Sequence, residues 1–311
     1  MKKDYFYTFQ AHLELINKEM RIALFGTIFS ENFNKYIQHL INKLEAEKIQ
    51  ICVEEKFLEF INDKLRFKND IVTFKNHEEL KNQADILFSI GGDGTLLKAV
   101  SYVRNSNIPI MGINTGRLGF ISSIAPDQID EAINDLLKNN YKTDRRTLLT
   151  LTTSNNLFKN KNFALNEVSV VKKDTSSMVK IDAYVDNEFL NTYWADGLIV
   201  STPTGSTGYS LSCGGPIIMP GTNNIIITPI AQHNLNVRPI VINDNSIIKL
   251  KVEDRDQLAL VSLDSCSRAF DSSIELTIKK ADFRITLIEP QGNSFTSTIR
   301  HKLMWGIDKR N

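Results

Sequence analysis

Twelve of the fifteen glycines in this 311-residue chain fall in two short windows, and the residues among them are of the kinds that handle phosphate. The first window, 91–119, holds Gly91-Gly92-Asp93-Gly94-Thr95 and Asn114-Thr115-Gly116-Arg117-Leu118-Gly119-Phe120. The second, 197–221, holds Thr202-Pro203-Thr204-Gly205-Ser206-Thr207-Gly208-Tyr209-Ser210, then Cys213-Gly214-Gly215-Pro216. Glycine gathers where main chain takes positive φ or comes close to a ligand, because no Cβ stands in the way. Such loops, with hydroxyls and one carboxylate among the glycines, predict amide N–H groups arranged around phosphates. That is a nucleotide site.

Asp93 lies just after the apolar run Ile86–Ile90 and just before Leu96, Leu97, Val100 and Val103, which repeat at helical spacing. A helix N-terminus offers free N–H donors and the positive end of the dipole, which suits phosphate. An aspartate at that point can ligate Mg²⁺ or take a proton from a hydroxyl. The purely structural alternative, an N-cap by Asp93 or Thr95, does not require three glycines. No G-x-x-x-x-G-K-[ST] and no G-x-G-x-x-G occurs, which argues against a P-loop ATPase and a Rossmann dehydrogenase.

The elements that must position these loops differ between the two halves. From Arg21 to about Asp144, short apolar runs (Ile22–Phe25, Ile51–Val53, Ile86–Ile90, Ile108–Gly112) alternate with amphipathic helices. One helix carries Phe33, Ile37, Leu40, Ile41 and Leu44 on a face, and another Ile129, Ala132, Ile133, Leu136 and Leu137. Alternation of this size predicts an α/β, Rossmann-like domain with a parallel sheet, residues 20–145. After Arg146 the pattern turns to strands: 148–153, 163–171, 179–185, 225–230, 247–252, 258–263, 274–278 and 283–288. Turns are expected at Asn155-Asn156 and Asp186-Asn187. This predicts a β-rich domain, 146–290, with the active site in the cleft between the two. Residues 291–311 read as a tail packing back on the first domain. Met1–Glu19 reads as a disordered or helical extension, or as sequence upstream of an initiator at Met20.

Composition bounds the function. Apolar content of 42% with 23% charged residues is that of a soluble globular protein. A net charge of +1 without long single-sign runs argues against bulk binding to nucleic acid or membrane. Cys52, Cys213 and Cys266 are too scattered for a disulfide framework or a zinc site, which fits a reducing, cytoplasmic setting.

The loop Gly91–Thr95 alone is shared by NAD kinases, lipid and sphingosine kinases and, in variant form, phosphofructokinases. Asn114–Phe120, Leu165-Asn166-Glu167-Val168, Asp196-Gly197, Ser201–Ser210, Cys213–Ile217, Thr228–Ile230 and Arg238–Val241 follow in order and spacing. With them the chain, from about Met20 to about Leu287, resembles bacterial NAD kinases. The resemblance implies ATP-dependent phosphorylation, with Mg²⁺ or another divalent cation, of the 2′-hydroxyl on the adenosine ribose of NAD⁺. It implies no fixed protein metal site, and a homodimer or homotetramer. Asp93 would be the catalytic base with Gly94 beside it, and Lys98 would contact NAD phosphate, its alternative being an exposed helical lysine. Asn166 and Glu167 would bind adenosine, Glu167 as an ionised acceptor of two hydrogen bonds, unless the pair is only a surface strand end. Asp196 would reach the other end of the dinucleotide. Thr207, Gly208, Tyr209, Ser210, Leu211 and Ser212 would line it, with Tyr209 stacking on a base, and Ala231 would be small to admit a ring.

Three positions depart from the family pattern: Gly208 for alanine, Gln232 for proline, and Ser265 for the glycine after Asp264. Site roles for Thr204, His233 and Asp264 stay open, His233 being either a site residue or a core hydrogen-bonding one. A lipid or sphingosine-type kinase would lack Asn166-Glu167 and Thr204–Ser210. A non-catalytic NAD(P)-binding sensor would lose Asp93 or Gly94.

Overall fold

The computed structural model describes residues 20–305, apart from 117, 118, 123, 174–177, 254–257 and 293. Met1–Glu19, the end of the tail, and Arg117-Leu118 of the first glycine window lie outside the described residues.

The first half alternates as its sequence predicts. β1 (Arg21–Gly26) leads to α1 (Asn34–Ala46), β2 (Gln50–Glu54), α2 (Glu55–Ile61), β3 (Val72–Phe74), α3 (His77–Gln83) and β4 (Ile86–Ile90). α4 (Asp93–Val103), β5 (Ile110–Ile113) and α5 (Ile129–Leu137) complete it. β3, β2, β1, β4 and β5 lie side by side and parallel. Successive side chains on β1 point to opposite faces, as strand geometry demands. Ile22 and Leu24 pack with α1, α2 and α5, while Ala23 and Phe25 pack with α3 and α4.

The second half contributes β6 (Tyr141–Thr152), β7 (Phe163–Ala164), β8 (Glu167–Lys172), β9 (Val179–Val185), β10 (Glu188–Ala195) and β11 (Gly197–Ser201). After the short α6 (Tyr209–Ser212) come β12 (Asn224–Ile230), β13 (Ile240–Asn243), β14 (Ile248–Glu253), β15 (Leu258–Leu263), β16 (Cys266–Asp271), β17 (Leu276–Pro290) and α7 (Phe295–Leu303). One sheet runs β13-β12-β11-β8-β15-β16. The other carries β9, β10 and β14 and continues through β17 into the parallel sheet of the first half. Alternate residues of β6, β8, β9, β11, β12, β14 and β15 interdigitate between the two sheets as one core. Asp186 and Asn187, with φ of +52° and +68°, make the expected hairpin turn between β9 and β10.

Two expectations change. The strands expected at 274–278 and 283–288 are one strand, β17, with a register shift between Lys280 and Arg284. The polar run between them reads as a loop but is a bulge, which keeps the ladder while bending the strand. β6 begins at Tyr141 rather than Leu148, since its polar first half pairs with the second half of β17. The seam expected at residue 145 thus lies inside a strand. β17 pairs antiparallel with β14 at its start and parallel with β5 at its end, so one strand ties the halves together.

Arg146 reinforces that tie. Its buried guanidinium meets Asp144 at 2.7 Å, Glu289 at 3.5 Å and the Thr204 hydroxyl at 3.3 Å. Arg146→Ala should cost about 3 kcal/mol, because Asp144 and Glu289 lose their shared partner. The expected drop in Tm is roughly 5–10 °C, with only partial recovery in Arg146→Lys, whose ammonium lacks the fork. A variant melting within about 2 °C of wild type would make the cluster energetically neutral.

Candidate active site

Asp93 opens α4, and Gly92 before it supplies no side-chain cap. The Asp93 carboxylate faces the loop after β5. Oδ2 accepts the Phe120 N–H at 2.8 Å, and Oδ1 accepts those of Ile121 and Ser122 at 3.2 and 3.0 Å. Ser122 also donates its hydroxyl to the Gly91 carbonyl at 2.9 Å, closing the loop onto the start of the motif. The approach depends on Gly119, where any Cβ would collide with the Asp93 carboxylate. Charge-assisted N–H bonds of this kind fix an anion firmly. Oδ2, with a single N–H partner among the described residues, keeps a lone pair free for another donor.

The second glycine window wraps a different turn. Thr202 donates its hydroxyl to the Leu165 carbonyl at 2.6 Å, and its N–H to the Asn166 carbonyl at 2.9 Å. Gly205 passes so close to the Asn166 carbonyl that a Cβ there would overlap it. From below, Asp264 accepts the N–H groups of Leu165, Asn166 and Glu167 at 2.8, 2.8 and 3.1 Å. What the turn leaves unused are Asn166 Oδ1 and Glu167 Oε2, both buried and without a hydrogen-bond partner in the structure. Buried acceptors are rarely left unpaired, and these two belong to the residues expected to meet adenosine.

The surroundings of Glu167 oppose the ionised state expected of it. Burial and, after it, the Asp264 charge push its carboxyl up to about 8, against the opposing Tyr209 N–H. Its surroundings therefore favour the protonated form, whereas an isolated glutamate would be an ionised acceptor. Burial also pushes Asp264 up, to about 6, although its three N–H partners oppose the shift.

The other expected residues fall around these two centres. One apolar cluster containing Leu96, Ile121 and Leu165 underlies both of them. Thr207 is half-buried and donates to the Thr204 carbonyl at 3.2 Å, while buried Ser210 bonds the Thr228 hydroxyl at 2.9 Å. Tyr209 is 43% exposed, free for stacking. Its phenol is raised by burial and by the nearby Cys213 and Asp196. Leu211 is half-buried and Ser212 exposed on the same short helix.

Asp196 pairs with Lys172 at 2.6 Å at the opposite end of β11 from Glu167, about 16 Å away at roughly 3.3 Å per residue. Ala231, with φ of +44°, follows β12 at that same end. His233 is exposed rather than in the core, and its N–H donates to the Trp194 carbonyl. Lys98 is exposed on α4 and lines a cavity of about 880 Å³ with Gly26, Thr27, Lys56 and Lys161. Ser122, Thr202, Lys56 and Lys161 were not singled out from sequence. Only Thr202 carried a signal, its place in the second window; the rest are ordinary residues until the fold assembles them.

Two family models match the chain: ATP-NAD kinase N-terminal domain over residues 22–141, and ATP-NAD kinase C-terminal domain over residues 165–289. The NAD kinase of Christiangramia forsetii is 47% identical over 294 residues, 94% of this chain and 100% of the relative. That of Bacteroides fragilis is 43% identical over 293 residues, again 94% of this chain and 100% of the relative. The chain belongs to the NAD kinase family.

A solved Archaeoglobus fulgidus NAD kinase in complex with ATP matches at a TM-score of 0.71 and 26% identity, over 92% of this chain and 99% of that one. Yeast NADH kinase complexed with NADH shares the fold, with a TM-score of 0.83 at 23% identity over 94% and 89% of the two chains. Within the NAD kinase family, the three departures noted in sequence now have local explanations. A methyl at Gly208 would stand 3.0 Å from Glu167 Oε2, a tight contact that glycine relieves. Gln232 donates to the Val237 carbonyl at 2.7 Å and so closes the loop beyond Ala231. The left-handed residue of the β15–β16 turn is Asp264, φ +50°, so Ser265 does not need to be glycine.

The raised carboxyls of Asp264 and Glu167 make stability depend on pH. Both stand above the unfolded values of about 4. Their contribution is therefore complete in acid and is lost as pH rises through about 6 for Asp264 and about 8 for Glu167. Tm should fall by a few degrees between about pH 5 and about pH 9. Glu167→Gln, which stays neutral, should lose the upper part of that fall. An unchanged profile in the Gln variant would assign the fall to another group.

Proposed function

We propose that this chain transfers the γ-phosphoryl group of ATP to the 2′-hydroxyl of the adenosine ribose of NAD⁺, giving NADP⁺ and ADP. The observation that carries this reading is an amide-held carboxylate, Asp93, built on the same apolar cluster as the turn whose Asn166 and Glu167 oxygens lack partners. Family membership supports the substrates: the relatives are NAD kinases, and the Archaeoglobus fulgidus neighbour is in complex with ATP.

Asn166 and Glu167 would hold the adenosine, Gly94 and residues Thr207–Ser212 would line the dinucleotide, and Asp196 and Ala231 would serve its far end. The cavity lined by Lys56, Lys98 and Lys161 would seat phosphates, and Lys98 would contact a phosphate of NAD⁺. The free lone pair on Asp93 Oδ2 would accept the 2′-hydroxyl proton as that oxygen bonds to the γ-phosphorus. The bond from the γ-phosphorus to the β-phosphate oxygen would break, and ADP would leave. Such transfer is mainly positioning and charge neutralisation. Mg²⁺ would enter with the triphosphate and screen its oxygens.

The same proposal includes a division near Arg146, a homodimer or homotetramer, and a cytosolic setting. Exposed Phe189, Trp194, Leu235 and Val241 in the β-rich half support association. The three cysteines are free, and among the described residues no helix is long and apolar enough to cross a membrane.

Production of NADP⁺ from NAD⁺ and ATP, read with an NADP-specific dehydrogenase, is the first check. Asp93→Asn should then lower kcat by about 10²- to 10⁴-fold. Its Kd for NAD⁺, measured by calorimetry, should stay within about tenfold, the pattern of a group that acts in the transition state. Near-normal turnover would remove the base role, and equal losses in binding and rate would recast Asp93 as a substrate-holding residue.

A further inference from the structure

Asp264 sits in the turn between β15 and β16, and its carboxylate is committed to the main chain of another segment. Three consecutive N–H groups, those of Leu165, Asn166 and Glu167, converge on it within 3.1 Å. Its own N–H donates back to the Glu167 carbonyl at 3.0 Å. Asp264 itself has a left-handed φ of +50°. With Thr202 holding two carbonyls from the other side, the main chain of the turn is fixed at both edges. The side-chain oxygens Asn166 Oδ1 and Glu167 Oε2 are left unpartnered.

We propose that Asp264 is a positioning residue for the dinucleotide: by clamping the main chain at Leu165–Glu167 it aims Asn166 and Glu167 at the adenosine. The inference rests on the reading of that turn as the adenosine seat. Both Asp264 oxygens are taken by main-chain N–H groups, so it acts through the turn and through its charge. The groups facing Glu167 are the Asp264 carboxylate, the Cys213 thiol and the Tyr209 N–H. A fixed anion beside a buried acid favours the protonated form of that acid. Glu167 then offers an O–H donor to an acceptor on the adenosine, while Asn166 Oδ1 receives one of its donors.

Each member of the pair sets one limit of a pH window. Below about 6 Asp264 takes up a proton and its grip on the three N–H groups weakens. Above about 8 Glu167 ionises and loses the donor. Affinity for NAD⁺ is therefore greatest between these limits.

The test is calorimetric titration of NAD⁺ into the full chain from about pH 5 to about pH 9.5, for wild type, Asp264→Asn, Glu167→Gln and Glu167→Ala. The wild-type affinity should trace a bell with limbs near 6 and 8. Glu167→Gln, which keeps a donor but does not ionise, should lack the alkaline limb. Asp264→Asn replaces one acceptor oxygen with a donor that opposes an N–H. It should raise Kd and KM by about 10- to 100-fold and leave kcat at saturating NAD⁺ within about threefold. Its alkaline limb should move to lower pH, which a merely structural lesion would not do.

If Glu167→Ala binds NAD⁺ like wild type, the adenosine-seat reading fails and the inference falls with it. If Glu167→Ala loses at least about tenfold while Asp264→Asn keeps wild-type KM and pH profile, only the role of Asp264 is overturned. Should Asp264→Asn not fold, the wild-type profile decides: a flat affinity across the range overturns the proposal.

Discussion

The loop after β5 comes near enough to donate three N–H groups to Asp93 only because residue 119 has no side chain. A carboxylate held by main chain is held far more rigidly than one held by long side chains, since little rotamer entropy is lost in keeping the partners in place. The same device recurs beneath the second turn, where Asp264 gathers three consecutive N–H groups. Two aspartates thus fix the two loops, Asp93 the one after β5 and Asp264 the turn at Leu165–Glu167. The glycines supply the close approach, and the anions supply the grip.

These clamps are useful only on a common frame. β17 supplies it by pairing with β14, β6 and β5 along its length. Arg146 adds a polar tie from β6 to Thr204, within the second glycine window. Leu96, Ile121 and Leu165 then share one buried cluster, so a shift in either loop is felt by the other through close packing.

Much of this was legible in the chain. The buried runs of β1 and β4 and the helical stripe at Ile37, Leu40, Ile41 and Leu44 are strong periodic signals, and the structure buries those residues. Asp93 stood out because it lies among clustered glycines, and Asn166 and Glu167 through the motifs shared with NAD kinases. Less legible was β11, whose side chains are buried throughout and so do not alternate. The bulge in β17 hid because Lys279-Lys280-Ala281-Asp282 has the composition of a loop. The state of Glu167 was also hidden, because its environment depends on an aspartate almost a hundred residues away. Sequence shows which acid is present; burial and the neighbouring charge decide whether it carries a proton.

The place of β17 also bears on how the molecule comes into being. Met111 on β5 pairs with Ile288, a separation of roughly 180 residues, and such distant pairings raise contact order and slow folding. During synthesis the parallel sheet can assemble through β5 well before its last neighbour has been made. Until then β5 is an unpaired edge of apolar residues, Ile110-Met111-Gly112-Ile113, the kind of edge that pairs with other chains. The strand that closes the sheet is made roughly 180 residues after β5, and the interval before it arrives leaves the nascent chain open to aggregation.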